Sequence, residues 1–190
     1  AASQAIDWLR LAAESGRTEA YADYAEALGD WVHGPRDLEA ARLWYERAGE
    51  AGDGLAAAIA AAMYFDGEGG PADPGRGAQL MRMGAELGTP SAMGSYALLL
   101  FQGAPGLAAD PVRAADWARR GAEAGDGEAQ FLYAYALATG DGAAQDLQRA
   151  YYWTRRAAAP RASSLAEDAD RAQLEAALER ALPEPVIQRL

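Results

Sequence analysis

Five stretches of this chain are copies of one another, and no other feature restricts its fold so strongly. The phrases Ala13-Glu14-Ser15-Gly16, Gly49-Glu50-Ala51-Gly52, Ala85-Glu86-Leu87-Gly88 and Ala122-Glu123-Ala124-Gly125 close on glycines 36 or 37 residues apart. Eight residues before each glycine stands Trp8, Trp44, Leu80 or Trp117, and a fifth copy supplies Trp153. Unrelated helices would not hold phase along a whole chain. A period of this length means stacked supersecondary units that bury a core between neighbours. The expectation is an all-α, right-handed α/α superhelical solenoid. It has about four helix-pair repeats, an opening helix and a C-terminal capping helix.

Each unit reads as two helices. The first opens after the closing glycine of the previous copy, at Arg17, Asp53, Thr89 and Asp126. Asp and Thr there are N-cap types, and Pro90 suits a first helical position. Steps of four then mark one face: Ala20, Tyr24, Leu28; Ala56, Ala60, Tyr64; Ala92, Tyr96, Leu100; Ala129, Tyr133, Leu137. Such spacing keeps one side of a helix inward. Gly67, Gly103 and Gly140 end this helix, with Gly29 and Gly34 serving the first copy. Asp37, Asp73, Asp110 and Asp146 then cap the second helix, which carries Ala41, Gly77, Ala114 or Ala150 ahead of the tryptophan position. The tiling is a single domain over 1–190. It comprises a half repeat at 1–16, repeats at 17–52, 53–88, 89–125 and 126–161, and a cap and tail at 162–190. The last repeat ends on Ala159-Pro160. Leu165, Leu174, Leu178 and Leu182 belong to an amphipathic helix at 163–182, which covers the open end of the stack. Pro183-Glu184-Pro185 stops it and leaves a tail, Val186 to Leu190.

These residues resemble the Sel-one-like repeat (SLR) family, relatives of the tetratricopeptide repeats with a slightly longer unit. Ala20, Tyr24, Ala25, Leu28, Asp37, Ala41, Trp44, Ala48 and Gly52 match its pattern in the first full unit. Ala92, Tyr96, Ala97, Leu100, Gly103, Asp110, Ala114, Trp117 and Gly125 match in the third. The resemblance spans about residues 1–161. The second unit departs most, with Leu80 for Trp and Gly77 for Ala. The resemblance implies an adaptor that holds protein partners in signalling, quality-control, envelope or secretion complexes. Some relatives carry a disulfide in each repeat, and this cysteine-free chain does not belong with them.

Composition narrows the chemistry. The 190 residues carry a formal charge of −11, and all 17 basic residues are arginine. An acidic chain without a basic cluster argues against nucleic acid and anionic membranes. No apolar run reaches the ~20 residues that span a bilayer, so no direct membrane insertion is expected. No basic-then-apolar segment opens the sequence, and cytoplasm and periplasm both accept cysteine-free proteins, so the expected compartment is left open between them. The absence of cysteine removes thiolate zinc sites and disulfides.

No catalytic, metal or cofactor site is expected. His33, the one histidine, reads as a solvated loop residue. Asp66-Gly67-Glu68 lacks the ligand alternation of a calcium loop. Neither a phosphate-binding loop nor a nucleophile elbow occurs. The fixed phase of the tryptophans reads as core rather than ligand cage. Candidate partner-binding residues come instead from the first helices, off the inward stripe. Alignment with the tetratricopeptide pattern turns Ala22, Ala58, Gly94 and Phe131 to the concave groove. It does the same for Glu26, Ala62, Leu98 and Tyr135, and for Gly29, Phe65, Phe101 and Ala138. Leu98, Phe101, Phe131, Tyr135 and Phe65 would give an apolar stripe, and Glu19, Asp23 and Glu26 an acidic end. Curvature that buries these aromatics against the neighbouring unit is the competing reading. Function then reads as a non-enzymatic scaffold that binds a protein or peptide segment, of oligomeric state unknown. The alternatives are a hydrolase-type enzyme and a structural spacer of a longer envelope protein.

Overall fold

The computed structural model describes residues 2–30, 35–157 and 165–189. Helices in consecutive pairs account for most of them, and no strand occurs among the described residues. The opening helix is α1 (Ala2–Glu14). The first pair is α2 (Tyr21–Gly29) with α3 (Leu38–Glu50), and the second α4 (Gly54–Asp66) with α5 (Pro74–Glu86). The third is α6 (Pro90–Gln102) with α7 (Pro111–Glu123), and the fourth α8 (Gly127–Thr139) with α9 (Leu147–Ala157). Then follow α10 (Leu165–Ala181) and a one-turn α11 (Glu184–Ile187). His33, Trp31, Gly34, Ala159-Pro160 and the first two residues of the expected cap, 163–164, lie outside the described residues.

The repeat spelling explains these boundaries. Asp37, Asp73, Asp110 and Asp146 each accept a hydrogen bond from the backbone N–H three residues on, at 2.9–3.0 Å. Asp53 and Asp126 cap the first helices α4 and α8 in the same manner. The helix breaks need left-handed backbone. Closing glycines 16, 52, 88 and 125 have φ between 86° and 106°, and the glycines after α4 and α8 sit at 71° and 81°. Only glycine takes such angles without strain. One expected start differs: Arg17 leads into a 3-10 turn, Thr18–Ala20, before α2 begins at Tyr21. Arg17 has no side-chain oxygen with which to cap a helix.

The chain forms two compact units, residues 1–92 and 93–190. In each, the four-step stripe lies inward. Ala56 and Ala60 are buried in the first unit, and Tyr96, Leu100, Tyr133 and Leu137 in the second. The tryptophans depart from the expectation of a buried core. Trp44, Trp117 and Trp153 are only half-buried, while their tyrosine partners are buried. Each tryptophan meets the tyrosine of its own first helix: Tyr24–Trp44 at 5.4 Å, Tyr96–Trp117 at 5.7 Å and Tyr133–Trp153 at 5.9 Å between ring centroids. Arg47, Arg120 and Arg156, three residues after their tryptophans, lie over the rings at 4.5, 3.8 and 5.8 Å. Each indole is thus held between a core tyrosine of its own repeat and an arginine of its own helix. Trp8, on the opening helix, is 72% exposed.

The second repeat changes this pair as a unit. Ala60 and Leu80 stand where the other repeats place Tyr and Trp, and Leu80 is completely buried. Arginines reach the tyrosine hydroxyl in the third and fourth repeats, Arg113 to Tyr96 at 3.2 Å and Arg149 to Tyr133 at 2.8 Å. Their counterpart Arg76 has no tyrosine at position 60. It binds Glu46 instead, through Nε at 2.7 Å and through Nη2, and Glu50 at 2.8 Å. Tyr64 donates to the other oxygen of Glu46 at 2.5 Å, and Arg42 stacks over the Tyr64 ring at 4.5 Å. Three helices, α3, α4 and α5, are thereby cross-braced.

At the C-terminus α10 packs on α9 and α8. Leu178 is buried there, and Leu174 and Leu182 pack beside it on the core of the second unit. The expected short tail holds a further turn of helix: α11 forms, and Ile187 packs against the same core. Pro183 and Pro185 fit its N-cap and first turn, so they start a helix as well as stopping one.

Candidate protein-binding surface

The residues singled out on the first helices separate into two groups. In the second unit, Phe131 and Tyr135 sit one turn apart on α8, and Leu98 and Phe101 three apart on α6. Tyr135 is 46% exposed, and Phe131 is half-buried. Leu98 and Phe101 are half-buried and lean on the hydrophobic core formed by Tyr133, Leu137, Tyr151 and their neighbours. Tyr135 is therefore a surface side chain, whereas Phe101 also supports the fold. Ser95 on α6 donates to Glu128 on α8 at 3.1 Å, a polar tie between these two first helices.

In the first unit, Phe65 lies in the last turn of α4. A methyl group built on Gly77 would approach its ring to 3.1 Å. Gly77 is thus the small residue that lets this phenyl ring lie against α5. Glu19 in the 3-10 turn and Asp23 and Glu26 on α2 are exposed.

Glu26 also lines a feature that sequence reasoning missed. A cleft of about 410 Å³ opens between α2, α3 and α4. Ala41, Tyr45, Ile59 and Met63 form its apolar wall, with Gly29 at its edge. Glu26, Asp30, Glu68 and Arg36 also line it. Burial first, and then the Glu26 carboxylate, hold the Tyr45 phenol above its usual range. Tyr45 therefore stays neutral at physiological pH. The signal for this cleft was in the repeat: Gly29 occupies the position that Phe65 and Phe101 occupy in the next two units. The cleft offers recognition by shape and charge.

The Sel1 repeat profile matches residues 2–16, 18–53, 55–89, 90–126 and 127–159. The crystal structure of a Sel1 repeat protein from Oxalobacter formigenes superposes with a TM-score of 0.71 at 30% identity, over 82% of this chain and 62% of that one. A protective antigen of uropathogenic Escherichia coli strains that displays an SLR fold, c5321, superposes with a TM-score of 0.52 at 19% identity. That match covers 98% of this chain and 54% of the antigen. The chain thus spans less than two thirds of either structure's length. No curated protein matches the sequence. Among the described residues no helix is long and apolar enough to cross a membrane. Repeat phase, capping pattern, helix pairing and these matches agree that the chain belongs to the Sel1 repeat family.

Proposed function

We propose that this chain is a non-enzymatic scaffold that holds a segment of a protein partner through residues on its first helices. Proteins of the Sel1 repeat family generally mediate protein–protein interaction, and the family is typically non-enzymatic. The observation that carries the reading to particular residues is Tyr135. It is a large aromatic side chain, nearly half exposed, one turn from Phe131 on α8. Phe131, Leu98 and Phe101 supply further apolar surface in the second unit, and Phe65 in the first. Glu19, Asp23 and Glu26 add negative charge to the first unit. Anchors of this type carry most of the energy at protein interfaces, at about 2 kcal/mol or more each. The carboxylates would chiefly speed encounter with a basic partner.

The test starts with affinity capture by the wild-type chain and by Tyr135→Ala from the source organism. Titration calorimetry with the identified protein follows. Tyr135→Ala is expected to bind at least tenfold more weakly with an unchanged melting temperature. Equal affinity for the two chains would remove this surface from consideration.

A further inference from the structure

We infer that the cleft between α2, α3 and α4 receives an aromatic side chain of the partner, carried on a segment with arginine or lysine on either side. The inference rests on the scaffold reading and specifies one of its contacts. Its basis is a comparison of the repeats with one another. Phe65 lies with its ring against Gly77, and Phe101 packs on the core of its own unit. The corresponding pair in the first repeat is Gly29 and Ala41, and both line the cleft. The opening therefore lies at the position where the second and third repeats carry a phenyl ring and the fourth carries Ala138. The backbone does not demand glycine there, because Gly29 lacks a positive φ and a methyl group on it would meet none of the described residues within 4 Å.

Size and charge define the occupant. A volume of about 410 Å³ lies within the usual range of about 300 to 1,000 Å³ for ligand sites. It accommodates one ring and part of the backbone that bears it. Ala41, Tyr45, Ile59 and Met63 give the ring an apolar wall. Glu26, Asp30 and Glu68 against Arg36 leave the lining acidic, in a chain of formal charge −11. Basic residues flanking the ring complement that lining, and acidic ones oppose it.

The probe is the pentapeptide acetyl-Arg-Arg-Phe-Arg-Arg-amide, titrated into the isotopically labelled chain and followed by amide chemical shifts. Saturable shifts are expected around Gly29, Tyr45 and Ile59. Replacing the central Phe by Ala, or the four arginines by Glu, is expected to weaken binding at least tenfold. Gly29→Phe, which supplies the ring from within the chain, is expected to weaken it equally while the melting temperature holds or rises. Gly29→Leu serves the same purpose should the larger ring misfold. Equal binding of the Ala peptide, or by a folded Gly29→Phe chain, would overturn the inference. Loss of peptide binding in Tyr135→Ala alone would move the anchor to the second unit, which ends this inference and keeps the scaffold reading.

Discussion

At the residue scale, the repeats show which positions act together. Tyr and Trp, 20 or 21 residues apart, occur as a pair in three full repeats and give way together to Ala60 and Leu80 in the other. Leu80 has no exposed surface, so a larger side chain has no room there. Leu80→Trp alone is therefore expected to cost about 1 to 3 kcal/mol by overpacking. Adding Ala60→Tyr creates a different pocket wall, so the double variant should depart from additivity, which a urea-melt double-mutant cycle would measure. Purely additive costs would show that the pair is not a unit. Trp117→Ala belongs to the same logic. A fully buried indole removed to alanine costs about 3 to 5 kcal/mol. Half-burial lowers that figure, and the loss of the Arg120 stack adds about 0.5 to 1 kcal/mol. A net loss of about 2 to 4 kcal/mol is expected from denaturant midpoints, and an unchanged midpoint would refute the packing. The Trp-x-x-Arg spacing was visible in the sequence. What it does was not, because a guanidinium over a ring depends on helix geometry rather than on hydropathy.

At the element scale, the cross-brace of α3, α4 and α5 makes a prediction about pH. Burial, then the hydrogen bond to Glu46, raises the Tyr64 phenol above its ordinary value of 10.0. Burial raises Tyr24 and Tyr45 in the same direction. In the unfolded chain these phenols release protons near pH 10, while the folded chain still holds them. The folded state then binds more protons, so stability falls as pH rises through that window. The urea midpoint is expected to drop above about pH 10, and to drop less steeply in Tyr64→Phe. Parallel curves for the two chains would disconnect Tyr64 from the effect. The capping element was more legible than this brace. Leucine spacing located α10, and Leu178, Leu174 and Leu182 do lie on the second unit's core. Tyr151 donates to Glu179 at 3.3 Å and Arg155 lies 3.5 Å from Glu175, which orients α10 on α9. Deleting residues 163–190 bares that apolar face, so the shortened chain should aggregate and scatter more light than the parent at equal concentration. The brace went unread because Arg42, Glu46 and Arg76 are ordinary surface types in sequence, and the inward stripe assigns Tyr64 to apolar packing without naming a partner for its hydroxyl. Only the replacement of Tyr by Ala60 hinted that Arg76 needed another partner.

At the scale of the whole molecule, the repeat period carried the fold, since each glycine break and aspartate cap recurs in phase. The surface was less legible. Inward and outward positions of a first helix differ by one or two residues, and Leu98, Phe101 and Tyr135 look alike in a pattern although only Tyr135 is strongly exposed. The cleft beside Gly29 is an absence, and a hydropathy pattern marks what is present. Charge closes the argument about partners. All 17 cations are arginines. Many are already committed within the fold: Arg47, Arg120 and Arg156 to tryptophans, Arg113 and Arg149 to tyrosine hydroxyls, Arg76 and Arg119 to carboxylates. A polyanion would find few of these guanidinium groups available and a repulsive field around them. A basic segment would be drawn in. The Debye length is about 10 Å at 0.1 M salt and about 3 Å at 1 M, so this long-range attraction is open to screening. The association rate of a basic partner peptide, read by stopped-flow fluorescence, should therefore fall at least tenfold between 0.02 and 0.5 M sodium chloride, with the dissociation rate nearly constant. Duplex DNA at the same protein concentration should give no mobility shift at either salt. A salt-independent association rate would show that the acidic surface does not steer the partner, and a shifted duplex would show that the arginines are more available than their stacking implies.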